Sequence, residues 1–133
     1  MITYTEPRAY ETIQQDVIEN LSKYINKEVK NIVIVGAFTG QEIFDFLKKY
    51  PDVNIYAFEP YLSNYKELVS NFENNKNVKT YNLAVSEKIG IAKFYEVSAR
   101  GCGSLKEFID DGYNKIAEEL DVECITIKDM FPE

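Results

Sequence analysis

The chain has 133 residues, 45% hydrophobic and 28% charged, which suits a single domain with its own core. Its formal net charge of −7 argues against a nucleic-acid backbone or an anionic membrane as partner, since both call for a basic patch. Histidine is absent, so this chain supplies no imidazole base or metal ligand, and its two cysteines, Cys102 and Cys124, make neither a disulfide scaffold nor a zinc knuckle.

The opening MITYTEPRAYE has neither the basic nor the apolar segment of a secretory signal. The longest apolar stretch, Ile32 to Phe38, is far short of the ~20 residues that span a bilayer. A reduced, cytoplasmic setting is the expectation. From Pro7 to Lys27, the residues Tyr10, Ile13, Val17, Leu21 and Tyr24 recur at three- and four-residue steps and predict an amphipathic helix. Asn31 to Val35 is apolar and β-branched, predicts a strand, and feeds a glycine-bracketed turn, Gly36-Ala37-Phe38-Thr39-Gly40. A helix follows from Gln41 to Tyr50, with Thr39 and Glu42 as a capping box and Ile43, Phe44, Phe46, Leu47 and Tyr50 as its buried stripe.

Pro51-Asp52 ends that helix, and Asn54 to Phe58 predicts a second strand that closes on an acid, Glu59. Ser63 is placed to cap a third helix running to about Asn74, with Tyr65, Leu68, Val69 and Phe72 inward and a turn over Asn74 to Asn77. Val78 to Val85 predicts a third strand, joined by a hairpin connection at Ser86 to Gly90 to a strand from Ile91 to Val97. Ala99 to Ser104 reads as a flexible loop, Leu105 to Leu120 has helical spacing, and Val122 to Lys128 alternates as a last strand. Helices alternating with strands imply an α/β fold, doubly wound around a mostly parallel sheet with an antiparallel hairpin, in one domain over residues 1–133.

The unit from Asn31 to Glu59 carries the chemistry. A glycine turn after the first strand lets backbone approach a nucleoside, and a carboxylate after the second accepts hydrogen bonds from ribose hydroxyls. Dinucleotide folds use G-x-G-x-x-G, so that the pyrophosphate sits against the helix N-terminus. Here the spacing is G-x-x-x-G, and Phe38 stands where the middle glycine would be. S-adenosylmethionine has no phosphate and tolerates that side chain. On the turn alone, two glycines that let a strand bend sharply into a helix explain the pattern equally well. Glu59 follows the turn by about the ~20 residues that nucleotide binding expects, which favours ribose over an ordinary solvated loop acid.

Taken in order, IVGAFTG, YAFEP ahead of a helix, VKTYNLAVSEKIGIAKFYEV, GCGSL and ECITIKDMF resemble the motifs of FkbM-type S-adenosylmethionine-dependent methyltransferases, from about Asn31 to Phe131. The resemblance implies a Rossmann-like class I methyltransferase fold, S-adenosyl-L-methionine as cofactor, and methylation of a hydroxyl on a sugar or natural product as small-molecule acceptor. Carried over by position, Gly36, Ala37, Phe38, Thr39 and Gly40 would line the methionine part of the cofactor. Glu59 and Pro60 would sit at its ribose, Ala84 and Val85 near its adenine, and Ser104 toward the substrate. Two departures stand out. Ile34 occupies a position that is usually acidic in the family, and the chain ends at Glu133, ahead of a further D-L-L-K-I-D-V-E-G-like strand.

That later strand pairs beside the first one in the family. Without it, Asn31 to Val35 is expected to present an apolar edge, covered by a second copy, a partner chain or the chain's own strand from Val122 to Lys128. No residue is placed by its motif as a catalytic base, and no metal site is expected. Cys102 lacks neighbours that would lower its pKa, and the ten tyrosines and eight phenylalanines fall mainly at inward-facing positions, as core rather than as a base-stacking platform. Two alternatives stay open. One is a non-catalytic cofactor-binding or interaction module derived from a methyltransferase. The other, which Phe38 disfavours, is an NAD-dependent oxidoreductase.

Overall fold

In the computed structural model, which describes residues 17–25, 27–97, 103–107 and 115–132, two strands carry the glycine turn and the acid. The β-branched run Asn31–Val35 forms strand β1 and Asn54–Phe58 forms β2. They run parallel, with Ile32 beside Ile55 and Ile34 beside Ala57. Strand β3, Val78–Tyr81, adds in parallel on the far side of β2, giving the order β1-β2-β3. The crossovers are helices α1, Gln41–Lys49, and α2, Leu62–Phe72. Their apolar residues Ile43, Leu68 and Phe72 close over Ile34, Ile55 and Ala57 to make the main core. Apolar residues four apart on a helix share a face, which is why Leu68 and Phe72 bury together.

A second, mixed sheet has the order β4-β6-β5. Ala84–Val85 (β4) runs parallel to Ile116–Ile125 (β6), and Gly90–Val97 (β5) runs antiparallel to β6. Phe94, Val122, Cys124 and Ala84 form its small core, with Tyr61 and Leu120 packed against them. On the solvent side Lys93 pairs with Asp121 at 3.0 Å and Glu119 at 3.6 Å, exposed contacts that add little stability. A short helix α3, Ile127–Met130, is capped by Thr126, whose hydroxyl accepts from the Asp129 amide at 3.0 Å. Phe131 then lies edge-on to Tyr56 and Phe58, on the face of the parallel sheet opposite α1 and α2. The architecture is thus mixed α/β, a parallel three-stranded sheet beside a second mixed one. No helix among the described residues is long and apolar enough to cross a membrane.

Several expectations are corrected. Of the helix from Pro7 to Lys27, the residues before 17 lie outside the described ones. Residues 17–20 are helical and pass into a 3₁₀ turn at Leu21–Lys23 that ends the element early. Ile18 faces inward there while Val17 and Tyr24 are exposed, so the buried stripe is shifted by one residue. The capping box at Thr39 and Glu42 does not form: Gly40 holds the N-cap position of α1 with φ +94° and no side-chain bond. Tyr61 rather than Ser63 precedes α2, which ends at Phe72.

The third strand is broken in two. Asn82 leaves the ladder and donates through Nδ2 to the carbonyls of Glu59 and Pro60, at 2.9 and 3.0 Å, so β3 and β4 join different sheets. No hairpin forms across Ser86 to Gly90; β4 and β5 instead flank β6 on either side. Residues 116–120, expected to be helical, are strand, because the backbone of Phe94 to Val97 offers them a ladder. Local helical spacing gives way to such non-local pairing when the apolar run is short. Residues 108–114 of that expected helix, and 99–102 of the expected loop, lie outside the described ones. Ile127 and Lys128 belong to α3, not to the last strand. That strand lies between β4 and β5 and so does not cover β1, which pairs only with β2 among the described residues.

Gly40 earns its place by packing. A Cβ there would stand 2.3 Å from Phe72 Cε2 and 2.9 Å from Leu68 Cδ1, both in the main core. Gly40→Ala should therefore lower stability by about 2 kcal/mol or more through overpacking and a strained positive φ. Urea denaturation checks this as a lower midpoint at unchanged slope. Gly36→Ala meets no atom within 4 Å and should cost less.

Candidate functional site

The carboxyl ends of β1 and β2 lie side by side, and the chain leaving β1 folds back over the end of β2. The amides of Gly36 and Ala37 both donate to the Phe58 carbonyl at 2.9 Å. The next residue, Phe38, has φ +53°, a left-handed conformation unusual for a side chain of that size. Its amide is thereby aimed at Glu59 and donates to Oε2 at 2.8 Å. The other carboxylate oxygen, Oε1, accepts from the Tyr61 amide at 2.8 Å. Asn64, buried at the start of α2, adds a side-chain hydrogen bond to the same carboxylate. One acid thus ties the glycine turn to the turn that starts α2.

Glu59 is only 5% exposed, and burial pushes its carboxyl above the ordinary carboxylate range. The Tyr61 and Phe38 amides oppose that shift, the nearby charge of Glu96 adds to it, and Asn64 opposes it again. Glu96 comes from β5 and is 4% exposed, so two carboxylates face the same small interior space. That cavity, about 60 Å³, is bounded by Gly36, Glu59, Pro60 and Asn64 from the first sheet and by Phe94, Glu96 and Gly103 on the other side. Gly103 is pressed close: a Cβ there would lie 2.6 Å from Glu96 Oε2.

The residues singled out in sequence divide into groups. Gly36, Glu59 and Pro60 border the cavity. Ala37 is part of the main core, Thr39 is buried with its carbonyl accepting from Asn71 at 2.8 Å, and Gly40 packs on α2. Phe38 reaches the site through its backbone amide. Ala84 and Val85 pair with Cys124 and Ile125 in the second sheet, and Ala84 is buried beside Phe94. Ser104 bridges Tyr95 through both backbone groups, at 2.8 and 3.0 Å, next to the cavity wall at Gly103.

Glu96, Asn64 and Asn82 were missed. The signal for two of them lies in periodicity: Glu96 shares a strand face with Phe94, and Asn64 opens the four-spaced row that continues through Leu68 and Phe72. A polar residue in an apolar row marks a buried partner or a site. Among the described residues, no group of three or more acids and cysteines is arranged to hold a metal ion. The chain matches no protein-family model and no curated protein.

The raised Glu59 carboxyl makes a prediction with a definite sign. The folded state holds this proton more tightly than the unfolded chain does, so its contribution is full below the ordinary carboxylate value. That contribution is lost as pH rises from there to the raised folded value. The stability difference between the wild type and Glu59→Gln should therefore fall with rising pH across that window and then level off. Urea titrations at a series of pH values measure it. A difference that grows through the window would mean that the amide bonds outweigh burial.

Proposed function

We propose that this chain is the cofactor-binding part of a Rossmann-like, S-adenosylmethionine-dependent methyltransferase that acts on a hydroxyl of a small molecule such as a sugar or natural product. The observation that carries the reading is the junction of Glu59 with the glycine turn, Oε2 to the Phe38 amide at 2.8 Å, at the carboxyl ends of adjacent parallel strands. In open parallel α/β sheets, ligands bind at that end of the strands. The donor set suits the cofactor: a carboxylate for two ribose hydroxyls, and Gly36, whose missing side chain leaves open space with nothing within 4 Å.

In this reading Glu59 accepts from the ribose, and the backbone at Gly36 approaches the methionine portion. Pro60, which borders the cavity, would lie beside the sugar, and Gly40 positions the turn by packing on Phe72 and Leu68. The cavity of about 60 Å³ is smaller than the several hundred that enclose a nucleoside. A cofactor would therefore be held on the open side of Gly36, and Glu59 would share its oxygens between ribose hydroxyls and backbone amides. When bound, the cofactor supplies an electrophilic methyl group. Alignment of the acceptor with that methyl contributes up to about 7–11 kcal/mol in favourable cases.

A second reading, a non-catalytic module derived from such an enzyme, is favoured by one specific observation. Both oxygens of Glu59 already accept from backbone amides, at 2.8 Å each, and the acid serves the fold without any ligand. Calorimetric titration with S-adenosylmethionine, S-adenosylhomocysteine and NAD separates a cofactor-binding chain from a module that has lost the cofactor, and turnover of labelled cofactor with a hydroxyl acceptor separates an enzyme from a module that still binds it. The first two should bind and NAD should bind more weakly. Glu59→Gln should weaken cofactor binding roughly ten- to hundred-fold, the effect of about 1.5–3 kcal/mol for a hydrogen bond to a charged group. Folded protein that binds none of the three supports the module. Tighter binding of NAD would point to an oxidoreductase.

A further inference from the structure

The three donors that converge on Glu59 are not held alike. The Tyr61 amide, which meets Oε1 at 2.8 Å, is anchored by its own side chain. That ring packs on the second core, and its hydroxyl donates to Glu118 at 2.9 Å. Asn64, the side-chain donor, is buried on α2 in the row that continues through Leu68 and Phe72. The third donor, the Phe38 amide on Oε2, belongs to a turn that holds it at a cost.

That turn runs from Ala37 to Gly40 and is closed by the Gly40 amide, which donates to the Ala37 carbonyl at 2.9 Å. Phe38 takes its second position with φ +53°, and turns with a positive φ there are dominated by glycine, asparagine and aspartate. The neighbouring positive angles fall on Gly36 and Gly40, which adopt them readily. Ala37 and Thr39, on either side of Phe38, are buried, and the Thr39 carbonyl accepts from Asn71 at 2.8 Å. Phe38 itself is half-buried, and no described atom lies within 4 Å of where a Cβ on Gly36 would stand. One strained peptide unit thus sits between fixed neighbours, and its bond to Glu59 opposes its relaxation.

Glu59 has too few acceptor positions for these donors and a ribose together. An ionised carboxylate offers about four lone-pair sites, and three donors already occupy Glu59. Two ribose hydroxyls need two. One donor has to give way. We propose that the Phe38 amide is that donor, and that its bond to Glu59 is a latch, closed in the free chain and released when Oε2 accepts from a ribose hydroxyl. On release Phe38 returns to an ordinary negative φ, so the strain of the closed turn favours opening, while the bonds of Tyr61 and Asn64 persist. Phe38 is a positioning residue that acts through Glu59. This inference rests on the cofactor reading and adds to it the step that regulates access to the acid.

Phe38→Gly and Phe38→Ala both remove the ring and differ in the cost of a positive φ, so the pair isolates the backbone effect. Phe38→Gly favours the closed latch. Of the two it should have the higher urea midpoint and yet bind S-adenosylmethionine more weakly, by roughly two- to five-fold in calorimetric titration. A turn that merely supports the fold would leave the two affinities equal. Nuclear magnetic resonance of the wild type, with isotope-labelled phenylalanine and tyrosine, reads the latch directly. Titration with S-adenosylmethionine should move the Phe38 amide upfield as it leaves the carboxylate, with the Tyr61 amide in place. Equal affinities, or tighter binding by Phe38→Gly, overturn the proposal, as does a Phe38 amide that keeps its shift in the bound chain. Those results leave the cofactor reading standing. A wild type that binds no S-adenosylmethionine ends that reading and the latch with it.

Discussion

The carboxylate of Glu59 holds together the part of the molecule on which everything else is built. Two turns meet there, one leaving β1 and one entering α2, and neither has regular secondary structure to satisfy its amides. Glu59 takes the Phe38 amide on one oxygen and the Tyr61 amide on the other. A left-handed conformation at a residue such as Phe38 costs on the order of 1–3 kcal/mol, which a bond to a buried carboxylate can offset. Three donors converging on that carboxylate, the third from Asn64, offset part of the cost of burying it.

The same corner joins the two sheets. Tyr61 supplies an amide to Glu59, sits against the second core with its ring, and donates its hydroxyl to Glu118 of β6 at 2.9 Å. Asn82 breaks the strand that would otherwise continue β3 and ties the loop after β2 to the start of β4. Glu96 then arrives from the second sheet beside Glu59, so the small cavity at the strand ends has an acid on each wall. The charge of Glu96 adds to burial in raising the Glu59 carboxyl, so this corner is both a structural joint and a place where an acid is held above its ordinary value.

The two ends of β1 answer to different demands. At its carboxyl end the backbone is pinned by the Phe58 carbonyl and by Glu59, and the turn is geometrically determined. Along its outer edge nothing in the described chain competes for the strand, and Val33 and Val35 remain in contact with water. Parallel sheets are ordinarily covered on both faces, and here α1 and α2 cover one while Phe131 covers part of the other.

The elements legible in the sequence were those set by local patterns: β1, β2, α1 and the body of α2 follow directly from β-branched runs, helical spacing and the breaker at Pro51. The meeting of Gly36 with Glu59 was legible too, because a parallel β-α-β unit brings the ends of its strands together whatever the packing around them. Where the sequence was ambiguous, distant chain decided. Residues 116–120 have helical spacing yet form strand, since β5 offers a ladder from far away in the sequence. The stretch from Val78 to Val85 alternates like one strand yet serves two sheets, because Asn82 finds better acceptors in the Glu59 and Pro60 carbonyls. Nothing in the sequence marks Gly40 as a packing residue; only the positions of Phe72 and Leu68 show it. Local spacing determines which residues share a face, whereas the partner of that face is chosen by contacts between residues far apart in the chain, and those exist only once it has folded.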